Sequence, residues 1–143
     1  MPIPLFPEKI ILFGNISLSY IFFSDKKKVI LIDRFTDSTI AYQHYGMGIN
    51  KNLIIKLNKI ILKDIKPTFT FLNTVSMKNL KSRINKRVKN RYDTFNNNFY
   101  KNVQNGFIKL AKNKQNYKII DSNLSISKNK EIIIKKINSI LFT

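Results

Sequence analysis

"KKVILIDRFTDSTIAYQHYG", residues 27–46, holds the change of pattern on which the fold turns. Its first seven residues form a short apolar run ending in polar ones, the look of a strand buried on both faces. Asp33 and Arg34 close that run, and Ser38, Thr39, Tyr42 and Gln43 follow at helix-compatible offsets. In parallel α/β sheets, ligands bind beyond the carboxyl ends of the strands. A guanidinium fixed there is a bidentate phosphate clamp, and a neighbouring carboxylate can hold a magnesium ion or its water shell. Short hydroxyls, a ring and an amide can read a base edge and a sugar. Each residue also has a plainer reading: Asp33–Arg34 as a structural ion pair, Ser38 and Thr39 as helix caps, Tyr42 as packing against the sheet.

Outward from this stretch, strand and helix signals alternate. Leu53, Leu57, Ile60 and Ile61 recur at helical spacing, and Pro67 opens a second strand over 68–74. Ser76 is placed to cap a helix with Met77, Leu80, Ile84 and Val88 inward and Arg83 and Arg87 outward. Thr94 is placed to cap another, striped by Phe95, Phe99, Val103, Phe107 and Leu110. A third strand reads from 117 to 122, and Ser127 starts a last helix with Ile133, Ile137 and Ile140. Strands joined by helical crossovers imply an α/β fold, a parallel sheet flanked by helices, in a single domain over 1–143.

Composition narrows the function classes. With 26 Lys+Arg against 8 Asp+Glu the net charge is +18, which taken alone suggests nucleic acid or a phosphate-rich ligand. Only four of those cations are arginine (Arg34, Arg83, Arg87, Arg91), and the lysines are scattered over every segment, which fits solvated helix faces and AT-rich codons better than a binding stripe. There is no cysteine, hence no disulfide or thiolate site, and the single His44 cannot build a zinc site. Residues 9–23 are apolar but interrupted, shorter than the roughly 20 residues of a membrane span. The expected compartment is the cytoplasm, or the stroma or matrix of an organelle with an AT-rich genome.

"DRFTDSTIAYQ" resembles the DR-aromatic…S-T-x-A-Y-Q segment of the thymidylate kinases. "KPTFTFLNTVSMKNLKSRINKRVKNRYDTF" is similar to that family's fourth strand, basic helix and lid, "FYKNVQNGFIKLAK" to the helix that follows, and "YKIIDSNLS" to its last strand and adenine-side loop. The resemblance covers about residues 26–140. It implies phosphoryl transfer from ATP to dTMP giving dTDP, with magnesium. Arg34 would bind the dTMP phosphate, Ser38, Thr39 and Gln43 would face thymine, Tyr42 the deoxyribose, and Asp33 the magnesium ion. Arg83, Arg87 and Arg91 would grip ATP phosphates, with Arg34, Asp33, Arg87 and Arg91 as the catalytic set. Such sites work by charge neutralisation and alignment more than by covalent chemistry.

The pattern departs from the family in places. No G-x-x-x-x-G-K-[ST] loop, which wraps ATP phosphates, occurs in the chain. Asn90 and Asp93 replace a usual Asp and Glu, Gln104 a common Arg, and the segment before residue 27 lacks a family arginine. The expectation is an incomplete P-loop-kinase-like sheet lacking the first strand, P-loop and first helix, impaired or inactive alone. The alternatives are a non-catalytic nucleotide-binding remnant and a basic nucleic-acid-binding protein. A homodimer, or a partner supplying the N-terminal part, is compatible with this reading. In the family the P-loop strand lies between the strands matching 27–33 and 68–74, so either segment 8–23 fills that gap or the two strands close up.

Overall fold

The computed structural model describes residues 18–23, 29–63, 65–86, 88 and 95–141. Three strands grow from the apolar runs: β2 (Val29–Asp33), β3 (Phe69–Thr74) and β4 (Tyr117–Asp121). A fourth, β1 (Leu18–Phe23), occupies the expected gap, giving the order β2-β1-β3-β4. It runs antiparallel to both neighbours, whereas β3 and β4 pair in parallel. The three expected strands thus point one way, with a reversed strand among them. Chain length explains the reversal. Only residues 24–28 separate β1 from β2, and parallel neighbours need a connection of about a dozen residues.

Pairing runs in rows across the sheet, one of which is Ile32–Tyr20–Thr70–Tyr117. Asp33, last in β2, is therefore level with Phe71 and Lys118. β3 and β4 continue to Thr74 and Asp121, roughly 10 Å further at ~3.3 Å per residue. The carboxyl ends of the strands are staggered rather than flush. β2 is also an edge strand, so Ile30 and Leu31 stay exposed where burial on both faces was expected.

β2 leads through α1 (Thr36–Thr39) straight into a π-helix (Ile40–Gly46), then to α2 (Lys51–Leu62). The Asn50 side chain caps α2 by accepting from Asn52 and Leu53 amides. Ser76 caps α3 (Met77–Asn85) as expected, accepting from the Asn79 amide. α4 (Asn97–Ala111) is capped by Asn96; the expected cap, Thr94, lies outside the described residues. Ser125, two residues before the expected start, caps α5 (Ile126–Leu141) through the Lys128 amide.

Two apolar clusters hold the sheet. On one side Leu72 of β3 packs with Ala41, Val75, Leu80, Ile84, Phe99, Val103 and Phe107. On the other, Phe69, Phe71 and Ile120 meet Ile133 and Ile137 of α5. The π-helix and α4 approach so closely that a Cβ on Gly106 would sit 2.5 Å from Tyr45 Cδ2 and one on Gly46 2.6 Å from Phe99 Cε2. Two apolar stripes lie partly in solvent. Leu53, Leu57, Ile60 and Ile61 are exposed and Ile54 is the buried residue of α2, because the packing of that helix is mainly against the π-helix. Val88, expected inward, lies past the end of α3 and is 92% exposed.

Candidate functional site

The turn from β2 into α1 is built around Arg34, whose φ of +66° lies in the left-handed region. For a non-glycine residue that conformation costs roughly 1–2 kcal/mol, so neighbouring contacts must hold it. One of them is Tyr42: the guanidinium carbon lies 4.5 Å from the ring centre. The ring is itself fixed edge-on to Phe99 and Phe107, with centroids 6.0 and 6.2 Å away. Tyr42 is thus at once core packing and a platform for the arginine.

Beyond that platform opens a cavity of about 370 Å³. Arg34, Phe35, Thr36, Ser38, Thr39 and Gln43 form one wall, and Asn58, Ile61 and Leu62 of α2 form the other. The size falls within the usual range for small-molecule sites. Ser38 Oγ and Gln43 Oε1 are buried without a hydrogen-bond partner. Leaving such a group unsatisfied costs about 1–3 kcal/mol, and a polar ligand in the cavity could satisfy both; Thr70 Oγ1 and Asn129 Oδ1 are likewise unpartnered away from it. Arg34, Ser38, Thr39 and Gln43, expected together, are together here. Tyr42 does not line the cavity.

Asp33 sits beside Arg34 at the surface, outside the cavity lining. Partial desolvation raises its carboxyl above the ordinary pKa, and the Arg34 charge opposes that shift. No cluster of three or more His, Cys, Asp or Glu able to hold a metal occurs among the described residues. A lone carboxylate fits only a magnesium ion that takes most of its ligands from water and nucleotide phosphates. No helix among the described residues is long and apolar enough to cross a membrane.

Of the residues expected to grip ATP phosphates, only Arg83 falls among the described residues, and it does not line the cavity. Arg83, expected to face solvent, is half-buried, and its Nη2 donates to the Ser122 carbonyl at 2.5 Å. It ties α3 to the loop after β4, on the rim that extends beyond the level of Asp33. The same loop is held by Asn123 Oδ1, which accepts from the Ser76 amide and from Asn79 Nδ2. Gln104, read from the sequence as replacing a common family arginine, accepts from the Val75 amide at 3.0 Å. Arg87, Arg91, Asn90 and Asp93 lie outside the described residues.

The second cavity wall was missed in the sequence. Asn58 lies four residues after Ile54, on the inward side of α2, and an amide on that side is the signal that could have found it. Asp37 was missed as well: it is buried, 8% exposed, and accepts a hydrogen bond from the Tyr117 hydroxyl across the sheet.

A family model described as thymidylate kinase matches residues 18–133. A thymidylate kinase of Ehrlichia canis (strain Jake) is 42% identical over 102 residues, 71% of this chain and 48% of the relative. One from Sulfurihydrogenibium sp. (strain YO3AOP1) is 33% identical over 111 residues, 77% and 54% of the two chains. One from Wolbachia sp. subsp. Brugia malayi (strain TRS) is 34% identical over 118 residues, 82% and 56%. The chain spans about half the length of the curated relatives it matches. With the family's pattern extending over most of its residues, from β1 to α5, the chain belongs to the thymidylate kinase family.

Proposed function

We propose that the cavity beside Arg34 binds dTMP, and that the chain carries the monophosphate half of an ATP:dTMP phosphotransferase. The observation that supports this most is the pair of buried, unpartnered polar atoms, Ser38 Oγ and Gln43 Oε1, in a cavity that also presents a guanidinium. Arg34 takes the phosphate by charge-assisted hydrogen bonds. Ser38, Thr39 and Gln43 pair with the carbonyl and N–H edge of thymine, while Tyr42 acts through the arginine it carries. Asp33 would hold magnesium through its water shell once nucleotide phosphates supply the other ligands. The sequence contains no loop of the phosphate-cradling type and Arg83 is tied to a backbone carbonyl, so the isolated 143-residue chain binds dTMP without turning it over. Turnover then requires an ATP-binding part that these 143 residues do not include.

Calorimetric titration of the full chain tests the binding reading. dTMP should bind more tightly than dCMP, because a site built to hydrogen-bond its ligand rejects analogues that leave its groups unpaired. Arg34→Ala should weaken dTMP binding by about 1.5–3 kcal/mol. Equal affinity for the two nucleotides, or for the variant, overturns it. A coupled ADP-release assay on the same protein should show no dTMP-dependent turnover, and robust magnesium-dependent activity would refute the second half of the proposal.

A further inference from the structure

Asp37 and Tyr117 are 80 residues apart in sequence, and neither belongs to the dTMP contacts proposed above. Asp37 lies in the first turn of α1, three residues after the strained Arg34, and its carboxylate is almost fully buried. Tyr117 opens β4, opposite Thr70 on the central strand β3. Its hydroxyl donates to Asp37 Oδ2, and Lys114 Nζ approaches the same ring at 4.6 Å and the hydroxyl at 3.4 Å. Burial, then the bond to Asp37 and the Asp37 charge, hold the Tyr117 hydroxyl well above the usual tyrosine range, so it remains a donor at any physiological pH.

α1 is the first turn of a helical stretch that continues without a break into the π-helix, and no side chain caps it. The first turn of a helix frays most readily when no side chain caps it. A tie to the sheet fixes its orientation further, and that tie runs to the first residue of β4, the strand paired with the buried β3. A residue held at positive φ keeps that conformation only while its surroundings over-determine it. We infer that the Asp37–Tyr117 hydrogen bond is a positioning device: it anchors α1 to the β3–β4 pair and so holds Arg34 in the conformation that presents its guanidinium to the ligand phosphate. This rests on the reading of the cavity as a dTMP site, and it predicts a defect confined to the phosphate end of the ligand.

Tyr117→Phe removes the donor and leaves the ring in place. On the full chain, calorimetry with dTMP and with thymidine separates positioning from folding. The expected result is a Kd for dTMP raised at least fivefold in Tyr117→Phe, with thymidine binding changed less than twofold. In an Arg34→Ala background the same substitution should alter dTMP binding less than twofold, because the group being positioned is gone. A loss shared equally by dTMP and thymidine, an equal loss in both backgrounds, or no loss at all overturns the inference. If Tyr117→Phe does not melt cooperatively, Asp37→Asn takes its place: the amide oxygen still accepts from the tyrosine, so dTMP affinity within twofold of the parent is expected and a loss as large as that of Arg34→Ala refutes the tether. Wild-type protein that does not prefer dTMP to thymidine overturns the dTMP reading itself, an outcome distinct from preserved preference with an inert Tyr117→Phe.

Discussion

Phe107, Leu72 and Val103 are enclosed between β3 and α4, whereas Ile60 and Ile61 of α2 are 73% and 74% exposed and Ile30 and Leu31 of β2 face solvent at the sheet edge. Both regions come from apolar runs of similar strength. They differ in what each run has to pack against. β3 has a strand on either side and a helical layer on both faces, while β2 has one neighbour and α2 leans mainly on a short π-helix. An apolar stripe reveals which residues want burial; only a partner in the same chain decides which obtain it.

Core truncation tests that contrast most severely. Phe107→Ala should cost about 3–5 kcal/mol in urea unfolding, the range for emptying a fully buried aromatic site. Ile60→Ala should fall within about 0.5 kcal/mol of the parent, as at other exposed positions. Similar losses would mean that α2 is buried in solution, by a second copy or a partner, and that the two regions are alike after all.

The seam between the regions can be probed with a smaller change. Gly106→Ala should help α4 by up to about 1 kcal/mol in helix propensity alone. The added methyl would meet Cβ, Cγ and Cδ2 of Tyr45 between 2.5 and 2.8 Å, none of them the free end of a flexible chain. Net destabilisation of about 1–3 kcal/mol is expected. A gain in stability would show that the π-helix slides freely over α4.

The smallest effect concerns Asp33 and its pH dependence. Its folded-state pKa is raised, so the unfolded chain loses this proton at lower pH than the folded one. Between the ordinary aspartate pKa and the raised one, the unfolded state binds fewer protons and stability falls as pH rises. Asp33→Asn should therefore raise the melting temperature slightly at pH 7, with the gap closing as pH is lowered through the ordinary aspartate range. A variant less stable at pH 7 would show that the favourable charge of the neighbouring Arg34 outweighs desolvation.

The sites that sequence made legible are those where chemistry is local. "DRFTDST" places Arg34, Ser38 and Thr39 within six residues, so a strand followed by a helical turn suffices to bring them to one wall. Ser76 read correctly as a cap because a cap depends on its own first turn. Tyr42 was legible in both of its senses, packing and site, without a way to see that one ring serves both. Asn58 and the Asp37–Tyr117 tie were not legible, since each depends on where a distant element docks. Arg83 reads as a surface cation by spacing, and becomes a staple because the loop after β4 places the Ser122 carbonyl within its reach.

The reversed strand β1 has a consequence for how the molecule assembles. Joined by five residues, β1 and β2 form a hairpin whose contacts are close in sequence, and hairpins close in roughly 1–10 μs. β3 must be recruited across a far longer stretch, Tyr20 to Thr70, before its apolar residues are rewarded. A central strand threaded between two parallel neighbours would make every pairing in the sheet a distant one. Here the middle of the sheet arrives with one edge already zipped. The slow event in folding becomes the capture of β3 by a ready-made template, and substitutions on β3 should slow refolding more than equally destabilising ones on α2.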